Sequence, residues 1–390
     1  MNTENLRAQT PGCAYRTHFN NAGSSLMPAP VLEAMTSWLN AEAETGGYEI
    51  AELCAKEVAG FYESGARLLN ARPDNLAFTS SATNAFARAL SSIPFAPGDV
   101  ILIANEDYIS NQIAFLSVQK RYGIKLVRAE SDKEGGVDVQ DLERKIIQYK
   151  PRLVSLSHVP TNSGLVQPAE AVGALCRAHG CWYLLDACQS VGQLPVDVQQ
   201  LQCDFLTATY RKFLRGPRGA GFLYVSDRAL KAGLEPLFVD MRGAAWKDAD
   251  HYELRPDARR FEDWELPYAL VMGARAAMDY ALDIGLDAIA LRNAGLCARV
   301  RKGLVALGLS PLDHGRNLSS IITVTVPGWD PVKLKKALLE RRINTSITYR
   351  EFAVIDFGKK NVDWALRLSP HYFNTDEEVD QLLLALKEIL

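Results

Sequence analysis

Short apolar runs and amphipathic stretches alternate along the first two thirds of the chain. Val100–Ala104, Leu126–Val127, Leu153–Val159, Trp182–Asp186, Phe205–Thr209 and Phe222–Val225 are brief and apolar, and most are rich in branched or aromatic side chains. That is the composition of buried strands. Between them, Ser110–Tyr122, Val139–Tyr149 and Pro168–His179 carry apolar residues at helical spacing. Upstream, the pattern predicts helices over Val31–Glu44 and Ile50–Asn70, the second closed by Asn70-Ala71-Arg72-Pro73. The stretch Ala77–Asn84 then reads as a short strand and a small-residue turn, leading into a helix over Ala85–Leu90. Alternation of this kind predicts an α/β fold with a mainly parallel sheet between helices, joined by right-handed crossovers.

Beyond residue 226 the pattern loosens. His251–Trp264 is charged and irregular, and a helical pattern then runs from Pro267 to Leu307 with Gly285 as a point of interruption. A strand (Ser320–Val326), a helix (Pro331–Arg342), two strands (Asn344–Tyr349 and Trp364–Leu368) and a helix (Glu377–Leu390) follow. Thr375-x-x-Glu378 supplies a capping box for the last helix. This tail predicts a second, smaller α+β domain. The expected division is 15–260 and 261–390, with residues 1–14 packed on the smaller part.

Composition narrows the class without naming a function. The 390 residues are 48% hydrophobic and 23% charged, enough apolar material for a full core. A formal net charge of −3 gives no reason to expect nucleic acid or an anionic membrane. The start, MNTENLRAQT, lacks the basic-then-apolar pattern of a secretory leader, and no apolar run approaches the ~20 residues of a membrane span. The seven cysteines are scattered and form no C-x-x-C, so free thiols in a reducing, cytoplasmic setting are expected. The six histidines are equally dispersed, and no metal site is expected.

Candidate chemistry gathers at the ends of two predicted strands. Asp186 closes one apolar run and Lys212 follows the next. In a parallel sheet, ligands bind just beyond the carboxyl ends of the strands. An amine and an acid facing one crevice there suit pyridoxal phosphate, which needs a lysine for its aldehyde and a carboxylate for its ring nitrogen. Each residue also has a plainer reading. Lys212 lies among Arg211, Arg215 and Arg218, which could form a surface basic loop, and Asp186 could cap a helix. Gln189, three residues after Asp186, could reach the same ligand or cap a turn. Ser80–Asn84 at a helix start could cradle an anion or only cap the helix. Arg367, in a strand of the smaller domain, could clamp a carboxylate or form a structural ion pair. Asn20-Asn21-Ala22-Gly23 reads as a turn on pattern alone. Gly216–Gly221 precedes a strand rather than a helix, so a dinucleotide-binding loop is rejected.

Four segments together resemble the class V aminotransferase group of fold type I pyridoxal-phosphate enzymes, which also contains cysteine desulfurases. They are NNAG (20–23), DACQSVGQLPVDV (186–198), RKFLRGPRGAGFLYV (211–225) and RLSPHYFNT (367–375). The resemblance implies a seven-stranded sheet in the large domain, a homodimer, and a defined set of roles. Lys212 would be the catalytic lysine that bonds the cofactor and moves the proton. Asp186 would face the ring nitrogen and Gln189 the ring hydroxyl. Ala82, Thr83, Thr209 and Arg211 would hold the phosphate. Tyr108, after Asp107, takes the place of a histidine stacked on the ring. The family's asparagine beside the ring falls at Thr161 or Asn162. Arg367, helped by Asn20 or Asn21, would hold the substrate carboxylate, and Arg350 would line the side-chain pocket if it is not a surface ion pair.

Three departures qualify the resemblance. Desulfurases carry a sulfur-accepting cysteine before the final arginine, whereas Arg341–Arg367 contains none. Asp263 follows Arg260-Phe261-Glu262 where the family often has Gly-Thr reaching the partner subunit's phosphate. Tyr210 stands where a glycine is usual and is expected to reshape the pocket. The wording RKFLRGPRG resembles the branch containing hercynylcysteine sulfoxide lyases. The expected activity is therefore C–S β-lysis of an S-substituted cysteine or its sulfoxide through a Cα carbanion. Transamination, epimerisation and decarboxylation-coupled deamination share that carbanion. A non-catalytic binding protein of the same fold is the alternative from another class.

Overall fold

The computed structural model describes Met1–Leu390 and places the strand-rich region in one seven-stranded sheet. Its strands are β1 (Leu76–Thr79), β2 (Val100–Ile103), β3 (Lys125–Arg128), β4 (Leu153–Ser157), β5 (Trp182–Asp186), β6 (Phe205–Thr209) and β7 (Gly221–Val225). Their spatial order is β1-β7-β6-β5-β4-β2-β3, and only β7 runs against its neighbours. The central strands are buried on both faces, as their continuous apolar runs require.

The helices that matter for the site are α1 (Ala29–Thr45), α2 (Ala55–Leu69), α3 (Ala82–Ser91), α4 (Ile109–Tyr122), α5 (Tyr268–Ile284), α6 (Leu286–Ala306), α7 (Pro331–Glu340) and α8 (Asp376–Ile389). The single helix expected over Ile50–Asn70 is two: Gly47–Leu53 ends at Cys54, which also begins α2. Asn70, in the left-handed region, terminates α2, a position asparagine tolerates. The long pattern after Pro267 breaks at Gly285, whose φ of +89° suits glycine. The irregular stretch before it holds a hairpin, β8 (Ala244–Asp248) with β9 (His251–Leu254). Both of its faces are largely exposed, so no apolar alternation marked it.

A three-stranded antiparallel sheet forms the smaller unit: β10 (Ile322–Val324), β12 (Trp364–Leu368) and β11 (Ser346–Tyr349), with β12 in the centre. Its core joins α6, α7 and α8 through Leu296, Val300, Leu334, Leu338, Leu366, Val379 and Leu382. The capping box forms at the start of α8: Thr375 accepts from the Glu378 N–H, and Glu378 accepts from the Thr375 N–H.

Helix α5 packs with the large sheet's core, contributing Val271, Ala274, Met278 and Ala281. On this packing we propose that the division between the units falls at Gly285, later than 260. The first residues touch both units. Leu6 enters the large core, while Arg7 pairs with Glu378 at 2.9 Å and donates to the Phe373 carbonyl.

Candidate active site

The parallel strands deliver three polar residues to one row. Ser157 at the end of β4, Asp186 at the end of β5 and Thr207 in β6 are direct register partners. Partners in adjacent strands share a face, so all three project to the same side. All three are buried. Asp186 accepts from the Cys188 N–H at 2.9 Å through Oδ1 and from the Asn111 amide at 2.9 Å through Oδ2. The apolar run before it, Tyr183–Leu185, is fully buried and fixes where the carboxylate stands.

Lys212 follows β6 and is also buried, at 8% exposure; its carbonyl accepts from Arg215 N, and its amine has neither a hydrogen bond nor an ion pair. Burial pushes its amine below the usual lysine range; Arg211 and Arg367 add to that, while Asp186 opposes it. Its Nζ lies 5.9 Å from the centre of the Tyr108 ring. The surface basic loop is excluded, because Arg215 is more completely buried still, stacked over Phe373 and donating to Leu26 O, Tyr372 Oη and Thr10 Oγ1.

From the smaller unit, β12 brings Arg367 into the same space. Its Nη1 donates to Thr161 Oγ1 at 2.8 Å, and its Nε is buried without a partner. No acid pairs with it, so the structural ion pair is excluded. Desolvation, with Arg211 adding like charge, pushes its pKa down to about 10. Thr161 also accepts from Gln189 Nε2 at 2.7 Å, and Gln189 Oε1 is left unpartnered. Thr161, Gln189 and Arg367 are thus one connected group. Asn20 lies beside it through its bridge to Ser369, with a buried, unpartnered Oδ1.

The start of α3 sits against the end of β7. A Cβ on Gly221 would lie 2.6–2.7 Å from the Ser81–Ala82 backbone, so only glycine permits this approach. Gly221 is the register partner of Thr209, which brings Ala82 and Thr83 next to Thr209 at the helix N-terminus. Ser81 caps the helix through the Asn84 N–H. Arg211 lies on the same side; its guanidinium donates to the Gly23 carbonyl, and its own carbonyl accepts from Ser25 N.

Other expectations fall elsewhere. Asn162 gives its amide to the Phe352 carbonyl and accepts from Thr348 Oγ1 at 2.6 Å; it faces an adjoining cavity of 340 Å³ also lined by Glu106, Ile113, Phe352 and Val354. Thr161, not Asn162, is the neighbour of the crevice. Arg350 pairs with Asp363 and donates to the Val362 carbonyl, the surface ion pair rather than a pocket residue. Asn21 donates to the carbonyls of Ser369 and His18 and accepts from Ser25, so it stitches the loop to the end of β12. Tyr210 does not reshape the pocket: its ring packs inward against Phe61 and Phe222, with its hydroxyl on Met278. Asp263 is held bidentately by Arg88.

The arrangement fits pyridoxal phosphate. A buried unpaired amine faces an aromatic ring, an oriented carboxylate closes one side, and a helix N-terminus with Thr209 and Arg211 suits a phosphate. The orphaned atoms Gln189 Oε1, Thr207 Oγ1 and Arg367 Nε are what a bound polar group would satisfy. The residues that sequence reasoning passed over are Asn111, Ser157 and Thr207. Only Asn111 left a trace: it lies four residues after Asp107, on the same face of α4.

Comparison with known proteins gives a consistent result. The aminotransferase class-V family model matches residues 17–382. A probable cysteine desulfurase of Pyrococcus abyssi is 29% identical over 398 residues, covering 99% of this chain and 97% of that protein. An isopenicillin N epimerase of Streptomyces clavuligerus is 26% identical over 339 residues, covering 83% and 82%. The apo cysteine desulfurase of Thermococcus onnurineus NA1 has a TM-score of 0.92 at 25% identity, covering 99% of this chain and 97% of that one. A cystine C–S lyase in complex with its product, cysteine persulfide, has a TM-score of 0.87 at 24% identity, covering 97% and 99%, a likeness of fold.

Proposed function

The chain belongs to the aminotransferase class-V family and is a pyridoxal-phosphate-dependent enzyme; from that premise we propose that it is a C–S β-lyase acting on an S-substituted cysteine or its sulfoxide. The observation that carries this choice is the segment between α7 and Arg367. There a desulfurase of the family places its sulfur-accepting thiol, and this chain has Arg350-Glu351-Phe352-Ala353-Val354 without a cysteine up to Arg367. The thiol beside the lysine, Cys188, is pushed well above its usual pKa by burial, next to Asp186, and is poorly suited to attack sulfur. Relatives named as desulfurases and a neighbour named as a cystine C–S lyase support chemistry on a cysteine side chain.

The bound cofactor supplies an aldehyde for the substrate amine and a ring that accepts the Cα electron pair. Arg367 takes the substrate α-carboxylate in a two-pronged pair and orients Cα toward Lys212. Lys212, its amine disfavoured as a cation by burial, removes the Cα proton. Asp186 would hold positive charge at the ring nitrogen, and Tyr108 would cover the ring face. Expulsion of the β-sulfur group, with uptake of water, converts a thioether substrate to a thiol, pyruvate and ammonia. The exposed apolar residues Leu237, Phe238, Met241, Trp246 and Tyr252 support a homodimer formed through this surface.

The test is incubation of the holoenzyme with a panel of S-substituted cysteines and their sulfoxides. Pyruvate and ammonia released without an added keto acid support the lyase. Dependence on a keto acid identifies a transaminase, loss of carbon dioxide a decarboxylating enzyme, and inversion of an unchanged amino acid an epimerase. The epimerase among the relatives makes that last arm a necessary one. A protein that stays colourless with the cofactor would instead be a binding protein.

A further inference from the structure

A hydrogen-bonded chain behind Asp186 has no part in the roles assigned so far. Asn111, buried in the first turn of α4, has one amide nitrogen and two carboxylates against it. That nitrogen donates to Asp186 Oδ2 at 2.9 Å and to Asp107 Oδ1 at 3.0 Å. An NH₂ group has two hydrogens, and both neighbours are acceptors, so the amide orientation is fixed by chemistry.

Asp107 is itself held from several sides. Ser157 Oγ donates to it at 2.6 Å, Gln112 Nε2 at 2.8 Å and the Tyr108 N–H at 2.7 Å. Gln112 cannot turn its amide around without losing the bond that its Oε1 accepts from Arg128 at 3.0 Å. Ser157 is the register partner of Asp186, so the chain closes back on the sheet from which it started. Asp107 retains some accessible area although protein packs densely around it; it lines the adjoining cavity.

We propose that Asn111 is a positioning residue for the cofactor: gripped by Asp107, its amide fixes the Asp186 carboxylate against the ring nitrogen. The physical reason is geometric. The two Asp186 oxygens turn together about Cβ–Cγ; Cys188 holds one and Asn111 the other, and without Asn111 a single hydrogen bond, which tolerates a broad range of angles, is left to set that rotation. A charged pair to a ring nitrogen depends on direction as well as distance. Hydrogen-bond partners of metal ligands, which stand at the same remove, typically change affinity or activity by about 10–100-fold, and an effect of that order is expected here. Asp107 is hydrogen-bonded to Asp186 by way of Asn111, and it also accepts from the backbone N–H of Tyr108. One side chain therefore ties the residue at the ring edge to the residue at the ring face.

The proposal rests on Asp186 facing the ring nitrogen, and the experiment separates the two claims. The probe is a pair of ligands: pyridoxal phosphate and its analogue with C–H in place of the ring nitrogen. Each is titrated into the cofactor-free full-length protein and its dissociation constant is measured by absorbance. Wild type, Asn111→Leu, Asp107→Leu and Asp186→Asn are compared. Asn111→Leu keeps the shape and removes both donors. It is expected to weaken the natural cofactor about 10–100-fold and the analogue within about twofold. Asp107→Leu should give a smaller loss with the same selectivity.

Equal losses for both ligands would overturn the proposal, since a merely structural residue does not distinguish nitrogen from carbon. If Asp186→Asn also fails to distinguish the two ligands, the placement of Asp186 is wrong and the proposal falls with it. If Asp186→Asn distinguishes them and Asn111→Leu does not, only the role of Asn111 is refuted. Should Asn111→Leu fail to fold, the result with Asp107→Leu decides: selectivity for the ring nitrogen supports the chain of contacts, and its absence refutes it.

Discussion

Replacing Arg367 with methionine is expected to cripple the enzyme and leave its cofactor-free fold at least as stable. The two effects share one cause. Arg367 is buried with no acid partner, and its Nε is unpaired. Its pKa is held near 10, against about 12.5 for a free arginine, and each decade is worth about 1.4 kcal/mol. The folded protein thus carries a penalty of about 3 kcal/mol for keeping this charge at neutral pH. The sign is clear: a base with a depressed folded pKa destabilises the fold wherever it stays charged, and the penalty lifts only as pH rises through that pKa. Methionine removes the charge at similar volume but gives up the bonds to the Thr161 hydroxyl and carbonyl, worth about 1.5–3 kcal/mol for a charged donor. The net expectation is a gain of about 0–1.5 kcal/mol, read as a thermal midpoint of the cofactor-free protein at fixed concentration that is equal or higher. Activity should move the other way. Losing one partner of a buried, hydrogen-bonded charge pair costs about 2–5 kcal/mol, or roughly 30- to 5,000-fold in kcat/KM. A variant that melts lower and keeps kcat/KM within about threefold, or roughly 0.7 kcal/mol, would refute this. Arg367 would then be holding the fold together, not waiting for a carboxylate.

Other expectations follow from the same geometry. Lys212→Ala should remove the visible absorbance of lysine-bound cofactor and abolish turnover; a variant that still bonds the cofactor and turns over refutes the assignment. Because burial lowers the Lys212 pKa, the rate dependent on its free amine should rise with pH through a pKa below the usual ~10.4, and a limb at or above that value would contradict it. His18 and His158 are buried, each with a pKa lowered to about 4 by desolvation. Between their usual ~6.5 and 4 the unfolded chain binds protons that the folded one refuses, so stability falls with acid by up to about 3 kcal/mol for each. His158→Gln should flatten that slope in a thermal-midpoint series. Arg350→Ala breaks an exposed pair with Asp363 and a bond to the Val362 carbonyl and should change kcat/KM less than about twofold, whereas a large rise in KM would return Arg350 to the substrate pocket.

The large sheet was legible because burial on both faces forces continuous apolar runs. Trp182–Asp186 and Phe205–Thr209 were read at the bounds they occupy. The hairpin Ala244–Leu254 was not, since exposed Lys247, Asp248, His251 and Glu253 leave no face for a pattern to mark. The site shows the same division. Asp186 and Lys212 were visible as charges at the ends of apolar runs, where burial makes them conspicuous. The choice between Thr161 and Asn162 needed the third dimension, because adjacent residues leave the loop in different directions and only the Arg367 and Gln189 bonds tell them apart. Arg350 failed for a related reason: an arginine near a site looks alike in sequence whether it faces a ligand or Asp363. Ser157 and Thr207 are ordinary strand residues until register places them beside Asp186.

What organises the crevice is an imbalance of charge. Burial lowers the pKa values of Lys212, Arg211 and Arg367, and like charge adds to this at Lys212, from Arg211 and Arg367, and at Arg367, from Arg211; Asp186 is the carboxylate that opposes it at Lys212, and Asp107 stands behind it, occupied by four donors. A core would not keep Lys212 and Arg367 for stability, with the half-buried Arg211 beside them, because buried charges without an acid partner cost several kcal/mol each. The surplus is what a phosphate and a substrate carboxylate would neutralise, one at the helix start beside Thr209 and one at Arg367. The same surplus lowers the Lys212 pKa toward the range where an amine can take a proton from carbon. Binding and catalysis thus draw on one electrostatic arrangement. The removal of any one cation should therefore alter the others' work, and the effects of paired substitutions at Arg211 and Arg367 should not add.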